Sequence, residues 1–285
     1  MLYKFWQEAL EYKETIIGII LGVILLSLFV ILPLFFTANP YQTSLNIFSP
    51  PNSKSLLGTN DVGQDIFSRL IVGGQNSLRV ALGVGIFSTF LAVGIGVWSA
   101  LAGGLIDNLL MRMVDILLVI PNIIIIIIIS AYVSPTILLE IIIISLFTWL
   151  VGARVVRAQV LSIKERTYVY AAALFGAGPF YLFLKHLLPE LIPLMLTLLL
   201  QGMRRAVFIE AGLAFIGVVN PNVISWGSMI SQSLNYYYLD VWKWWLLPTA
   251  GALSLSLISL TLIGYGLEEA LISSSERGKT IAADS

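Results

Sequence analysis

Six long apolar segments dominate this chain and restrict its possible folds more than any other feature. They lie at about Ile16–Phe36, Val80–Leu101, Leu109–Tyr132, Thr136–Val156, Leu191–Phe215 and Trp245–Leu267. A hydrocarbon core about 30 Å thick is crossed by roughly 20 apolar residues in a helix. Backbone groups in lipid must bond to one another, so even the isoleucine run at 123–129 should be helical. The segments therefore predict an all-α membrane protein with six transmembrane helices.

Composition argues against a water-soluble domain and against catalysis. Hydrophobic residues make up 58% of the chain and charged residues 11%, less than half the charged share of a soluble domain. With no cysteine, one histidine and scattered carboxylates, we see no nucleophile with a base and no metal-ligand cluster. We expect no enzyme, metal or cofactor in this chain, and the zero net charge gives no sign of nucleic-acid binding. Without internal repeats or intramembrane acid chains, a stand-alone secondary transporter is disfavoured.

Basic residues predict the orientation, because Lys and Arg near spans stay on the cytoplasmic side. With both termini inside, the cytoplasmic set is Lys4, Lys13, Arg112, Arg154, Arg157, Lys164, Arg166, Lys185, Arg277 and Lys279, and the external set is Lys54, Arg69, Arg79 and Lys243. This bias predicts a multi-pass protein of the cell membrane with both termini cytoplasmic. The first span has an acidic leader and a long apolar run, which indicate an uncleaved anchor.

The connector from Arg154 to Pro189 is the most basic segment between two spans. It looks helical and amphipathic, with three alanines from Ala171 followed by Gly176 and Gly178. A helix of small residues at the membrane surface suits close contact with a cytoplasmic protein. The alternative is a surface helix whose alanines only pack on their neighbours.

Two polar stretches should lie on the other side of the membrane, Thr37–Leu78 and Gly217–Lys243. The first is rich in Pro, Asn and Ser, and the second carries tryptophans and tyrosines that suit the membrane interface. Both stretches are either solvated loops with interfacial anchors or a docking surface for an external partner.

Four motifs occur in order along the chain. They are Leu57-Gly58-Thr59 with Asp61, Gly63, Asp65 and Ser68-Arg69; Met111-Arg112 with Val114-Asp115 and Pro121; Ala171-Ala172 with Gly176 and Leu187-Leu188-Pro189; and Ser225-Trp226-Gly227. Together they resemble the permease subunits of binding-protein-dependent ATP-binding-cassette (ABC) importers, in the dipeptide/oligopeptide/nickel branch, over roughly residues 55–270. The chain departs from that pattern at Tyr170, where the motif has Glu, and at Gln64, where it has Arg.

The resemblance implies the MetI-like fold of type I importers and half of a translocation path for di- or oligopeptides, with nickel or oligosaccharides as alternative cargo. The implied partners are a second permease, two ATPases that hold ATP and Mg, an external binding protein and membrane lipid. The implied contacts with the ATPase are Tyr170, Ala171, Ala172, Gly176, Leu188 and Pro189, and those with the binding protein are Asp61, Asp65 and Trp226. Because Tyr170 lacks the carboxylate of the motif, we expect Glu165 and Arg166, a turn earlier, to supply the polar contacts with the ATPase instead. The expected division is 1–78 as anchor and external segment, 79–270 as five-helix core with the coupling loop 157–189, and 271–285 as cytoplasmic tail.

Arg204 and Arg205 lie near the middle of the fifth span, where each guanidinium costs about 2.5–3.5 kcal/mol. Thr197 and Gln201 fall on the same helical face. Glu210 is turned about 140° away from Arg205, although we include it among the candidate path residues. Two interpretations stay open: the arginines attract a carboxylate-bearing substrate in the path, or they pair with a carboxylate of the partner permease.

Three local features of the spans are also expected. Pro121 should kink the third span. Arg112 and Asp115, three residues apart, should form a local ion pair. The glycines of the second span, Gly83, Gly85, Gly94 and Gly96, should let helices approach closely.

Overall fold

The computed structural model describes residues 2–31, 33, 39–133 and 136–283, without the side chains of 2–4, 173 and 274–283. Within these ranges there is no β-strand. The α-helices are α1 (Leu2–Glu11), α2 (Lys13–Leu26), α3 (Ile66–Ala102), α4 (Gly104–Val119), α5 (Asn122–Val133), α6 (Ile137–Lys164), α7 (Thr167–Leu174), α8 (Pro179–Leu182), α9 (Leu188–Phe215), α10 (Trp226–Leu234) and α11 (Leu246–Ala283). A π-helical turn follows α2 and another joins α8 to α9, and a 3-10 helix precedes α11.

The predicted membrane spans correspond to helices of the structure. Among the described residues, five helical stretches are long and apolar enough to cross a membrane, and the bent pair of α4 and α5, counted as one span, makes six. These two helices meet at 77° around Pro121, which confirms the predicted kink. Ile120 is extended, with φ −78° and ψ 130°, because proline disfavours the helical conformation in the residue before it.

Several helices are longer than the apolar segments that predicted them. Helix α3 begins at Ile66, so the expected boundary at residue 78 falls inside a helix, and α6 continues to Lys164. The predicted polar tail from residue 271 continues α11 through Ala283, while residues 284–285 lie outside the described residues, as do residues 32 and 34–36 of the first span. The polar residues at the start of α3, among them Arg69 and Asn76, are buried against other elements, so they extend the helix without extending the apolar run.

Helix α3 is the central element, and it packs chiefly on α6 and α9. A Cβ on Gly96 would come within 2.7 Å of the Ala153 carbonyl oxygen, and one on Gly85 within 2.9 Å of the Leu199 carbonyl oxygen. Small residues thus allow close helix contact there, as predicted. Gly94 differs from that prediction, because no atom lies within 4 Å of a Cβ placed on it.

The two ends of the bundle carry different residues. Residues 39–65 and 217–245 gather at one end, which we name the polar cap. The opposite end, which we name the basic end, holds the α3–α4 turn and the segment from Lys164 to Leu188. Helices α1 and α2 pack along α11, where Phe5 and Ala9 contact Leu267 and Ala270.

Candidate functional site

Residues 44–49 of the polar cap run alongside residues 58–65 and bond to them. The Phe48 amide donates to the Asn60 carbonyl at 3.0 Å, and the Ser44 hydroxyl donates to the Gly63 carbonyl at 2.8 Å. Gly58 has φ +68° and Gly63 has φ +73°, in the region that favours glycine. A Cβ on Gly63 would lie 2.8 Å from the Ser44 carbonyl carbon. The polar cap is therefore an ordered structure held by hydrogen bonds.

Side chains join the two stretches of the cap into one body. The Tyr236 hydroxyl donates to Asp61 at 3.1 Å, and the Arg69 guanidinium donates to Gln232 at 3.1 Å and also to Gln64. The bond to the negatively charged Asp61 carboxylate raises the pKa of Tyr236. Gln64, which replaces an arginine of the motif, thus accepts a bond from the buried Arg69.

Two of the predicted contacts with a binding protein have structural roles within this chain. Trp226 is 0% exposed, donates its indole N–H to the Leu70 carbonyl at 3.1 Å and packs edge-on against Phe29. The expectation that Trp226 touches an external partner is therefore corrected, because no partner can reach it in this conformation. Asp65 caps the N-terminus of α3 by accepting from the Ser68 amide at 2.8 Å. Asp61 and Asp65 are both half-buried.

At the basic end, α7 is held by one buried side chain and a set of polar contacts. Val169 is buried in a cluster with Leu187 and Leu191. The Arg166 guanidinium lies 2.6 Å from Glu190 of α9, and the Tyr168 hydroxyl donates to the same carboxylate. Burial, together with this bond to Glu190, raises the pKa of Tyr168. Sequence reasoning missed Glu190, because it lies far from Arg166 along the chain.

The outer face of α7 and α8 is apolar rather than amphipathic. Phe175 is 93% exposed, and exposed apolar or aromatic side chains surround it: Tyr170, Leu174, Phe180 and Tyr181. Ala171 and Ala172 are half-buried beneath them. Gly176, with φ +88°, ends this turn, and the next amide, of Ala177, donates to the Ala172 carbonyl at 3.1 Å.

The other predicted coupling residues border this face. Glu165 is exposed where α6 ends, and Arg166 is the residue paired with Glu190. Leu188 is half-buried and Pro189 exposed in the first turn of α9, where a missing proline N–H costs no helical bond. The structure therefore brings most of the predicted coupling residues to one end of the bundle, around one exposed apolar surface.

Ion pairs tie α4 to α6 near this end. Arg157 binds Asp107 through two nitrogens, each at 2.5 Å, and Ser99 donates to the same carboxylate. Asp115 pairs with Arg154 of α6. The expected local pair between Arg112 and Asp115 is therefore wrong, because a residue of another helix reaches this carboxylate.

The predicted path residues divide into two groups. Gln201, Arg204 and Arg205 are exposed on one face of α9, and the Gln201 amide donates to Glu268 of α11 at 2.7 Å. Thr197 is buried and donates to the Pro193 carbonyl of its own helix at 3.0 Å. Glu210 is also buried, and it accepts from the Ser77 hydroxyl at 3.1 Å. The structure thus joins Gln201 to both arginines and places Glu210 in a separate small cavity, beside Glu140.

Two concave regions adjoin the arginines. A cavity of about 60 Å³ lies between α3, α6 and α9 and is lined by Ser88, Thr89, Gln201 and Arg205 among others. A groove of about 410 Å³ lies between α9 and α11 and is lined by Gln201, Arg204, Arg205, Phe208, Leu257 and Thr261. Arg205 and Gln201 border both regions.

Comparison with known proteins adds three findings. The family described as "Binding-protein-dependent transport system inner membrane component" matches residues 92–274. A protein of Brucella suis biovar 1 (strain 1330), named as a "Putative peptide permease protein", is 34% identical over 264 residues, which cover 92% of this chain and 87% of that protein. The "Oligopeptide transport system permease protein OppC" of Bacillus subtilis (strain 168) is 30% identical over 275 residues, covering 94% of this chain and 89% of the relative.

Proposed function

This chain belongs to the family of binding-protein-dependent transport system inner membrane components, and from that premise we propose that it forms half of a path for peptides. Members are permease subunits of ABC importers and hydrolyse no ATP themselves. Two relatives are named for peptide or oligopeptide permeases, which supports peptides as cargo. A second permease completes the path, two ATPases with ATP and Mg drive it, and a binding protein delivers the peptide.

The basic end faces the cytoplasm in this proposal. It holds Arg154, Arg157, Lys164, Arg166 and Lys185, and such residues near spans favour the cytoplasmic side. Helix α11 runs from the polar cap to the opposite end, and α1 packs on its second half, at Leu267 and Ala270. Both termini therefore lie on the cytoplasmic side, and the cap lies outside.

One observation carries the coupling role: α7 exposes an apolar face and is anchored on its inner side. Exposed apolar patches of this kind, on a soluble end of a protein, mark contact surfaces. The face around Tyr170, Ala171, Ala172 and Gly176 seats in the ATPase by apolar packing, without the carboxylate of the motif. Val169 and the Arg166–Glu190 pair then pass the movement of α7 to α9.

The polar cap receives the binding protein in this proposal. Its two stretches form one ordered surface through the Tyr236–Asp61 and Arg69–Gln232 bonds. Asp61 is half-buried in that surface, Asp65 caps α3, and the buried Trp226 bonds to the Leu70 carbonyl. Rigid surfaces bind partners with a smaller loss of conformational entropy than loose loops do.

Single cysteines test this arrangement cleanly, because the natural chain contains no cysteine. Phe175→Cys places a thiol on α7's exposed turn, and Leu45→Cys places one in the cap, where Leu45 is 100% exposed. In the assembled complex we expect the thiol at 175 to crosslink to an ATPase subunit and the thiol at 45 to the binding protein. If position 175 reaches no ATPase while the complex is intact, the coupling role is wrong.

Uptake by proteoliposomes tests the cargo. With the binding protein, both permeases, both ATPases and ATP, we expect labelled di- or oligopeptides to accumulate. Nickel and an oligosaccharide serve as competitors in the same vesicles. Accumulation of either competitor in place of peptide would contradict the proposed cargo and leave the permease role intact.

A further inference from the structure

Arg204 and Arg205 form an unusual pair of charges inside a membrane span. Arg205 lies about 15 Å from the Phe215 end of α9, at 1.5 Å per residue. Both side chains are exposed on the surface of this chain. In the part of the chain that the structure describes, the ion pairs are elsewhere, and neither arginine has a carboxylate within ion-pair distance.

The carboxylate that bonds to Gln201 does not neutralise the two arginines. Glu268 of α11 accepts the amide of Gln201 at 2.7 Å and forms no ion pair with either arginine among the described residues. Two uncompensated guanidinium groups are costly in lipid. They must therefore face water or an anion supplied from outside this chain.

The surroundings of the pair are rich in hydrogen-bond donors. Arginine supplies five N–H donors and no acceptor, and two arginines stand side by side at the groove of about 410 Å³. The adjoining cavity is lined by Ser88 and Thr89 of α3. Thr89 is 5% exposed, and its hydroxyl has no partner among the described residues. The Thr89 hydroxyl is therefore free to donate a hydrogen bond to a water or a ligand in this cavity.

A carboxylate is the anion that fits these donors best. Guanidinium binds carboxylate with two parallel N–H···O bonds, and these charge-assisted bonds are stronger than bonds between neutral groups. The groove is within the size range of small-molecule sites, about 300–1,000 Å³. It therefore has room for the end of a peptide as well as for its carboxylate.

We propose that Arg204 and Arg205 form a carboxylate-binding subsite in the translocation path, with Gln201 and Thr89 as neutral donors beside it. The inference rests on the proposed function, since it takes the peptide as cargo, and it adds a preference among peptides. The subsite binds the C-terminal carboxylate or an acidic side chain during passage. Peptides that lack both groups pass without this contact.

The test uses the double variant Arg204→Gln/Arg205→Gln in the complete complex with its binding protein. Uptake is measured for three versions of one short peptide: a free C-terminus, a C-terminal amide, and an amide with one added Asp. We expect the natural complex to favour the two carboxylate-bearing peptides. The double variant should lose about tenfold or more of their uptake and keep that of the plain amide. If the double variant loses uptake of only one of these two peptides, that result shows whether the C-terminal carboxylate or the Asp side chain binds.

Matched variants separate this role from a structural one. Arg112→Gln removes the same charge from an exposed residue of α4 and should leave the preference unchanged. Arg204→Lys/Arg205→Lys keeps both charges but loses the paired bonds, so it should assemble fully and still lose most of the preference.

Three outcomes would overturn the inference. The first is equal uptake of all three peptides by the natural complex, and the second is an unchanged preference in an intact double variant. The third is that the double variant fails to bind the second permease while the lysine variant still binds it. That result would assign the arginines to a carboxylate of the second permease. In each case the proposed function stands as long as the natural complex transports the plain amide. If the natural complex transports no peptide, the proposed function itself is refuted.

Discussion

Gly63→Ala should unfold the polar cap locally while leaving the spans intact. Alanine at φ +73° costs about 1–2 kcal/mol. Its Cβ would also collide with the Ser44 backbone and threaten two bonds, Ser44 hydroxyl to Gly63 at 2.8 Å and Thr59 hydroxyl to Asn46 at 2.6 Å. At about 0.5–1.5 kcal/mol each, these terms lower the cap's free energy of unfolding by about 2–5 kcal/mol in total.

Hydrogen exchange of the purified complex measures this loss directly. The amides of Phe48 and Thr59 bond across the cap, and a loss of 2 kcal/mol should speed their exchange by about thirtyfold. Binding-protein-stimulated ATP hydrolysis should fall in the same sample. Gly94→Ala is the control, because its Cβ meets no atom within 4 Å. Unchanged exchange in Gly63→Ala would refute the packing of residues 44–49 on residues 58–65.

Two further substitutions test the bundle, each read as the melting temperature of the complex in detergent. Gly266→Val should lower the free energy of unfolding by about 1–3 kcal/mol, because a side chain there collides with Thr15 of α2. Asp107→Asn should lower it by about 1–3 kcal/mol, since it leaves Arg157 facing a neutral group. That value lies between those of exposed and buried pairs, because the two side chains are 12% and 31% exposed.

Each of these two substitutions has a control in the same chain. Gly264→Val adds the same side chain to α11 where no atom lies within 4 Å of the new Cβ, so melting should not change. Asp240→Asn removes the ion pair with Lys243, in which both side chains are mostly exposed. It should lower the free energy of unfolding by no more than about 1 kcal/mol. Equal melting temperatures of Gly266→Val and Gly264→Val would contradict the close α2–α11 contact. Equal effects of Asp107→Asn and Asp240→Asn would contradict the role of burial.

The sequence predicted the spans because lipid reduces the problem to counting apolar residues. The same counting placed the start of α3 too late, since it ignores Arg69 and Asn76, which tertiary contacts bury. The contact of Trp226 with a binding protein was implied by the resemblance, which places the Ser225-Trp226-Gly227 motif in an external loop. Only the structure shows that the Trp226 side chain is buried and bonds to the Leu70 carbonyl.

Pairings between distant residues were beyond the reach of sequence patterns. Asp115 bonds to Arg154 rather than to Arg112, and Arg166 bonds to Glu190. Helical spacing identifies neighbours only within one helix, whereas these pairs depend on how helices are placed. The predicted polar face of α9 is right for Gln201 and the two arginines, which are all exposed, and wrong for Thr197, which is buried and bonds to its own helix.

Helix α9 connects the two proposed activities physically. Its first turn holds Glu190, which binds α7 through Arg166, and Arg204 follows about 21 Å further along at 1.5 Å per residue. Between α9 and α3, Gly202 faces Gly85, and a Cβ on Gly202 would lie 3.2 Å from the Gly85 Cα. Beside this glycine contact the Met203 side chain packs against α3, since a Cβ on Gly85 would lie 2.7 Å from the Met203 Cγ. In the proposed coupling, the movement of α7 is passed along α9, which contains Pro193 between Glu190 and Arg204, to the guanidinium groups. On that proposal the ATPase changes how the path presents the arginines to a carboxylate.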